Sequence, residues 1–182
     1  MTKMTNKKKM NSSLKSLIVL LSICLVVAVL MASINALTAP KIEEANQAAE
    51  KAALRSVLET ATKFEKLEGE YPETVTALYA DLGGSGYVAI LEAKGYDSSN
   101  PMKIAVGFDA DGTILAVNVI SASGETSGIG TKVTGEEFLA QFVGKDEGLD
   151  GVDAISGATI SSSAFLNAVR DASSVVAKEV AS

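Results

Sequence analysis

The sequence predicts an α+β fold: an antiparallel sheet with flanking helices, following one apolar helix near the N-terminus. Three observations predict it. Leu17 to Ala39 runs 23 residues without a charge, and roughly 20 apolar residues suffice to cross a bilayer as a helix. Three short runs, Tyr87–Ala93, Lys103–Phe108 and Thr113–Ile120, are apolar, rich in β-branched residues and bounded by turn residues. Near the C-terminus, Phe165, Ala168, Val169, Ala172, Val175 and Val176 recur at i, i+3, i+4, i+7, i+10 and i+11, the spacing of one helix face. Consecutive strands followed by helices, rather than strands alternating with helices, point to α+β.

Residues 1–16 hold Lys3, Lys7, Lys8, Lys9 and Lys15 and no acidic residue. A basic flank stays in the cytoplasm, so the expected organisation is a basic cytoplasmic tail (1–16), a single transmembrane anchor (17–39) and an extracytoplasmic domain (40–182). A secretory signal has the same charge layout. Its cleavage site wants paired small residues, and Ile34 is a poor partner for Ala36. Cys24 follows Ile23, where a lipoprotein signal wants a small residue, so a retained anchor is the expectation. Beyond the apolar run lie 11 of the 16 Lys and Arg and all 22 acidic residues, a net charge of −11. Such a surface does not suit nucleic acid, whose affinity comes largely from cations on phosphate. Cys24 is the sole cysteine and histidine is absent, which excludes a disulfide framework, a cysteine metal site and any triad that needs an imidazole.

After Pro40, Ile42, Ala45, Ala49, Ala52, Leu54, Val57 and Leu58 are spaced for one helix face, with Glu43 and Glu44 in the first turn. This helix is expected to join the anchor to the domain and pack on it. Residues 62–86 carry Tyr71-Pro72 and Gly83-Gly84 and predict loop and short elements. Asp109-Ala110-Asp111-Gly112 joins two of the strands and carries the Asp-Gly hairpin signal. A helix is expected over Glu136–Phe142. Phe138, Phe142, Tyr79, Tyr87 and Tyr96 read as ordinary core.

Two constellations carry chemistry. In Ser123-Gly124-Glu125-Thr126-Ser127-Gly128-Ile129-Gly130-Thr131-Lys132 the three glycines imply a backbone that turns sharply or lies against something flat or anionic. A plain connecting loop explains that spacing as well, and the Gly-Lys-Ser/Thr order of a Walker loop is missing. In Asp153-Ala154-Ile155-Ser156-Gly157-Ala158-Thr159-Ile160 and the three serines after it, hydroxyls and a glycine stand at the entrance of the C-terminal helix. Unpaired N–H groups and the positive dipole end favour phosphate there. The plainer reading is that Ser161 or Ser162 caps the helix.

The run Asp-x-x-Ser-Gly-Ala-Thr, here Asp153, Ser156, Gly157, Ala158 and Thr159, resembles the flavinylation motif of the FMN-binding domain family. That domain is found in the G subunit of the Rnf electron-transport complex and the C subunit of the sodium-pumping NADH:quinone oxidoreductase. Glu125, Thr126, Gly128 and Gly130 match the family's Glu-Thr-Pro-Gly-Leu-Gly element, which also follows a hairpin with Asp-Gly in its turn. Ser127 replaces the family's Pro and Ile129 its Leu. The first exchange removes a fixed φ and loosens the loop. Gly95-Tyr96 and Val152-Asp153 are similar to the family pattern too, so the likeness runs in order over most of the chain, and the whole resembles an Rnf-type G subunit.

The resemblance implies that Thr159 carries covalent FMN as a phosphoester, and that Asp153 belongs to the sequence a flavin transferase recognises. Ser156, Gly157 and Ala158 complete that motif, and backbone N–H groups from Glu125 to Gly130 are expected to meet the ring or the phosphate and to favour an anionic flavin. It further implies an electron relay with other membrane subunits of an ion-translocating ferredoxin:NAD oxidoreductase, without turnover of substrate by this subunit alone. Two other classes stay open. One is an anchored extracytoplasmic protein-binding module without cofactor. The other is a hydrolase with Thr159 or a serine as nucleophile and Lys132 or another lysine as base, although no spacing sets a lysine beside the hydroxyls.

Overall fold

A computed structural model describes residues 12–181. The basic tail, up to residue 11, lies outside the described residues. The chain divides into two compact units, Met1–Gln47 and Ala48–Ser182.

Helix α1, Ser12–Val57, runs without interruption through Pro40. Proline removes one N–H from the ladder, but Ala, Glu and Gln on its C-terminal side are strong helix formers. In its apolar part the hydroxyls of Ser22, Ser33 and Thr38 donate to Val19, Val29 and Ile34 carbonyls at 2.8, 2.7 and 2.9 Å. These bonds leave no hydroxyl unpaired where a bilayer would offer no water. The segment from Leu14 is long and apolar enough to cross a membrane.

Among the described residues, five strands form one antiparallel meander: β1 Phe64–Leu67, β2 Val75–Asp81, β3 Tyr87–Ala93, β4 Met102–Phe108 and β5 Ile114–Ser121, in that spatial order. Three of them lie where the sequence predicts strands. β1 and β2 fall in the stretch expected to hold loops and short elements, and Gly83-Gly84 is the turn between β2 and β3. The Asp109–Gly112 turn closes the β4–β5 hairpin, with Asp109 Oδ1 accepting from the N–H of Thr113 at 2.8 Å and of Asp111 at 3.0 Å.

Both faces of the central strands are covered, which is why β3 and β4 read as nearly unbroken apolar runs. On one face Ala89, Leu91, Ile104, Val106 and Phe108 pack with Val133, helix α2 (Glu136–Ala140) and helix α3 (Thr159–Val180). Phe138, Phe142 and Phe165 meet there with ring centroids 5.3–5.4 Å apart. The whole predicted face of α3, from Phe165 to Val176, is buried. On the other face the end of α1 covers Ala77, Val88, Ile90 and Ala105 with Ala53, Leu54, Val57 and Leu58. The buried alanine is Ala53 rather than the Ala52 of the predicted stripe, and Ile42 is exposed. The α1 residues that pack on the sheet, Ala53, Leu54, Val57 and Leu58, belong to its last turns. The Tyr79 hydroxyl donates to Glu50 on α1 at 2.7 Å, and burial, with that bond, pushes its pKa up to about 12.

Asp81 fastens the corner of the sheet. Its Oδ1 accepts from the N–H of Thr62 and Lys63 at 3.0 and 3.2 Å, and Oδ2 from Ser85 N–H at 3.2 Å. Burial by itself would raise the pKa, but hydrogen bonds from Ser85, Gly83 and Lys63 outweigh it and hold the carboxyl well below the usual range. A depressed folded-state pKa stabilises the fold above the unfolded pKa and is lost as pH falls. Asp81→Asn should therefore melt below wild type at pH 7, and the gap should narrow as pH drops below about 4. Melting curves of the full chain in detergent at a series of pH values check it, and a gap that stays constant would contradict it.

Candidate functional site

The motif turn is built before the helix begins. The N–H of Ala158 donates to the Ile155 carbonyl at 3.0 Å, and Gly157 between them has φ +81, a four-residue turn whose third position favours glycine. Ser162 pins it to α3: its Oγ accepts from the Ile155 N–H at 3.2 Å and donates to the Ala158 carbonyl at 2.9 Å. Ser161 and Ser162 are thus buried inside the helix, and neither caps it. The capping position is Ala158, whose methyl can accept no hydrogen bond. Ser162 N–H is the first to close a helical bond, to Ala158 at 2.9 Å. The N–H groups of Thr159, Ile160 and Ser161 find no partner among the described residues, as the start of an uncapped helix leaves them.

Their residues help line a cleft of about 440 Å³, with Tyr96, Thr126, Ile129, Gly130, Gly157 and Ala158. The fold thus joins the two constellations, some thirty residues apart in sequence. Among the described residues no charged side chain lines the cleft. Thr159 is exposed and its hydroxyl bonds to no other described residue. Tyr96, Ile129 and Ile160 are 69, 50 and 61% exposed and give the cleft an apolar rim. Tyr96 is therefore not core. It follows Gly95 on the β3–β4 connection, and nothing in the local sequence distinguishes an aromatic on a cleft rim from a buried one. Ile160 was likewise missed, although an apolar residue on the outer side of a helix start is a usable signal.

The other predicted site residues lie around this cleft. Glu125 is 8% exposed and sits behind the wall, where Oε1 accepts from the Tyr96 N–H at 3.1 Å and Oε2 from the Ser161 hydroxyl. Gly128 has φ +74 and its N–H donates to Thr131 Oγ1 at 2.9 Å. Of the N–H groups from Glu125 to Gly130, those of Glu125, Gly128 and Ile129 are bonded within the chain, so fewer donors are free than the sequence suggests. Ser156 is exposed on the turn. Asp153 lines a neighbouring cleft with Lys132, Phe138 and Gln141, its N–H donating to Gln141 Oε1 at 2.9 Å. Lys132 thus lines a different cleft from Thr159, and among the described residues no lysine lines the Thr159 cleft.

The FMN-binding domain family matches residues 95–174, the stretch that holds every residue lining this cleft. The RnfG N-terminal region family matches residues 1–57. The chain is 30% identical over 174 residues to the G subunit of the ion-translocating oxidoreductase complex of Methanosarcina acetivorans, covering 87% of this chain and 91% of the relative. It is 29% identical over 179 residues to the G subunit of the Na(+)-translocating ferredoxin:NAD(+) oxidoreductase complex of Acetobacterium woodii, covering 84% and 86%. The chain belongs to the family of G subunits of ion-translocating oxidoreductase complexes.

Proposed function

We propose that this chain is the membrane-anchored flavoprotein subunit of an Rnf-type complex, with FMN attached to Thr159 through a phosphoester. The observation that carries the reading is the unbonded Thr159 hydroxyl at the open start of α3, inside an uncharged cleft. The residues fit the group. Open N–H groups of Thr159, Ile160 and Ser161 suit phosphate oxygens, aided by the helix dipole. The apolar rim of Tyr96, Ile129 and Ile160 suits a flat ring system, and the unbonded N–H groups of Thr126 and Gly130 on the wall suit its polar edge.

FMN held there supplies reversible electron transfer, and the chain contributes placement. Esterification consumes the Thr159 hydroxyl, so that residue does no acid–base work. Gly157 brings the backbone close to the phosphate side, while Asp153 and Ser156, exposed on the turn, are free for the flavin transferase to recognise. Residues 17–39 are the single span, 1–16 remain in the cytoplasm and 40–182 lie outside. There the domain relays electrons to and from other membrane subunits, as in the ferredoxin:NAD(+) chemistry named for the Acetobacterium relative. Tethering raises the effective concentration of such partners.

The test is an intact mass of the full chain, purified from membranes of a host that has the flavin transferase, beside Thr159→Ala. Wild type should gain one FMN less one water and the variant nothing. No gain on wild type, in a host that flavinylates another substrate, would replace this reading by a cofactor-free binding module whose apolar rim meets a protein partner.

A further inference from the structure

Behind the uncharged cleft lies one buried carboxylate that the cofactor reading does not use. Glu125 joins three segments distant in sequence. Oε1 accepts from the N–H of Tyr96 in the β3–β4 connection, Oε2 accepts from Ser161 in the first turn of α3, and Glu125 itself begins the glycine-bearing loop. The flanking glycines are shaped around it. A Cβ on Gly95 would overlap Oε1, and one on Gly130 would stand 2.5 Å from Oε2 and 2.9 Å from Ser161 Oγ. Neither glycine has a positive φ, so what each provides is room for the carboxylate. Both oxygens act as acceptors, as an ionised carboxylate does. A charge at 8% exposure is tolerated only when it is held by such donors.

We infer that Glu125 is a positioning residue: it clamps the three walls of the cleft together and keeps one fixed negative charge behind the flavin, which holds the flavin harder to reduce. The inference rests on the FMN reading of the cleft. Tyr96, Gly130 and Ser161 each touch or adjoin the carboxylate and also line the cleft, so the charge is separated from the cleft by one layer of protein. Reduction adds negative charge to the ring, and a nearby anion in a poorly solvated wall opposes it. Among the described residues no charged side chain lines the cleft to offset this.

The experiment compares full-length wild type, Glu125→Gln and Glu125→Asp, each loaded with FMN by the transferase and purified in detergent. Flavin content is read by mass, fold by circular dichroism and the flavin equilibrium by redox titration. Gln keeps the shape and removes the charge, and should favour reduced flavin by about tenfold at a fixed potential. Asp keeps the charge but is one methylene short, and should stay within about twofold of wild type in that equilibrium while melting at a lower temperature. If Gln and Asp shift the equilibrium alike, or Gln leaves it at wild type while flavin remains bound, the inference is overturned and the FMN reading stands. A wild type that takes no flavin would overturn both.

Discussion

Replacing Phe165 by alanine should lower the unfolding free energy of the domain by about 3–5 kcal/mol. The ring is fully buried on α3, 5.3 Å from the Phe138 centroid in an edge contact and 5.4 Å from that of Phe142. Truncation loses the apolar transfer energy of a whole ring and two aromatic contacts, and it opens a cavity between α2, α3 and the sheet. The neighbouring rings are themselves packed between helix and strand, so the space does not close by small movements. Phe165 lies one turn beyond Ser161, and its loss should also loosen the start of α3 at the cleft. Urea unfolding of the full chain in detergent should give a lower midpoint at unchanged slope. A loss below about 1 kcal/mol would mean that the three-ring cluster repacks freely.

Gly107→Ala should cost about 1–3 kcal/mol through overpacking and should release the end of α1 from the sheet. A Cβ on Gly107 would overlap the Val57 carbonyl oxygen and lie 2.8 Å from its carbon. These are backbone atoms, which cannot swing aside as a side chain can. Close to this contact, Asn118 donates to Ser56 Oγ at 2.7 Å, and Ala53, Leu54 and Leu58 fill the same sheet face. Moving the helix away therefore exposes a whole apolar patch. Hydrogen exchange should accelerate at the amides of Val57 and Leu58, with little change in β3 and β4. Equal protection in variant and wild type would show that the overlap is relieved within the strand.

What could be read without the fold was set by local chemistry. β3, Tyr87–Ala93, matches its predicted bounds, because an apolar β-branched run between turn residues specifies a strand covered on both sides. The buried face of α3 follows its periodicity, and the Asp109–Gly112 turn and the Ser-Gly-Ala-Thr turn follow from residues whose backbone or side-chain preferences act over four positions. β1 is hidden because Phe-Glu-Lys-Leu sets two adjacent exposed charges between half-buried ends, with no alternation to read, and owes its strand state to pairing with β2, at Phe64–Asp81 to Leu67–Leu78. β2 was obscured by the Tyr71-Pro72 and Gly83-Gly84 punctuation on either side, which marks its ends rather than breaking it. The anchor expected over 17–39 and the helix expected after Pro40 are one continuous helix, with Pro40 inside it.

The sequence by itself determined the long apolar helix, the sheet-and-helix class and the threonine at a helix entrance, because hydropathy, periodicity and turn chemistry are properties of neighbours along the chain. Only the tertiary structure decided that Tyr96 stands on the cleft rim, that Asp153 and Thr159 open onto different clefts, and that Glu125 points inward rather than toward a ligand. Each of these depends on which distant segment a side chain meets. That is settled when the sheet brings the β3–β4 connection, the loop after β5 and the start of α3 to one place.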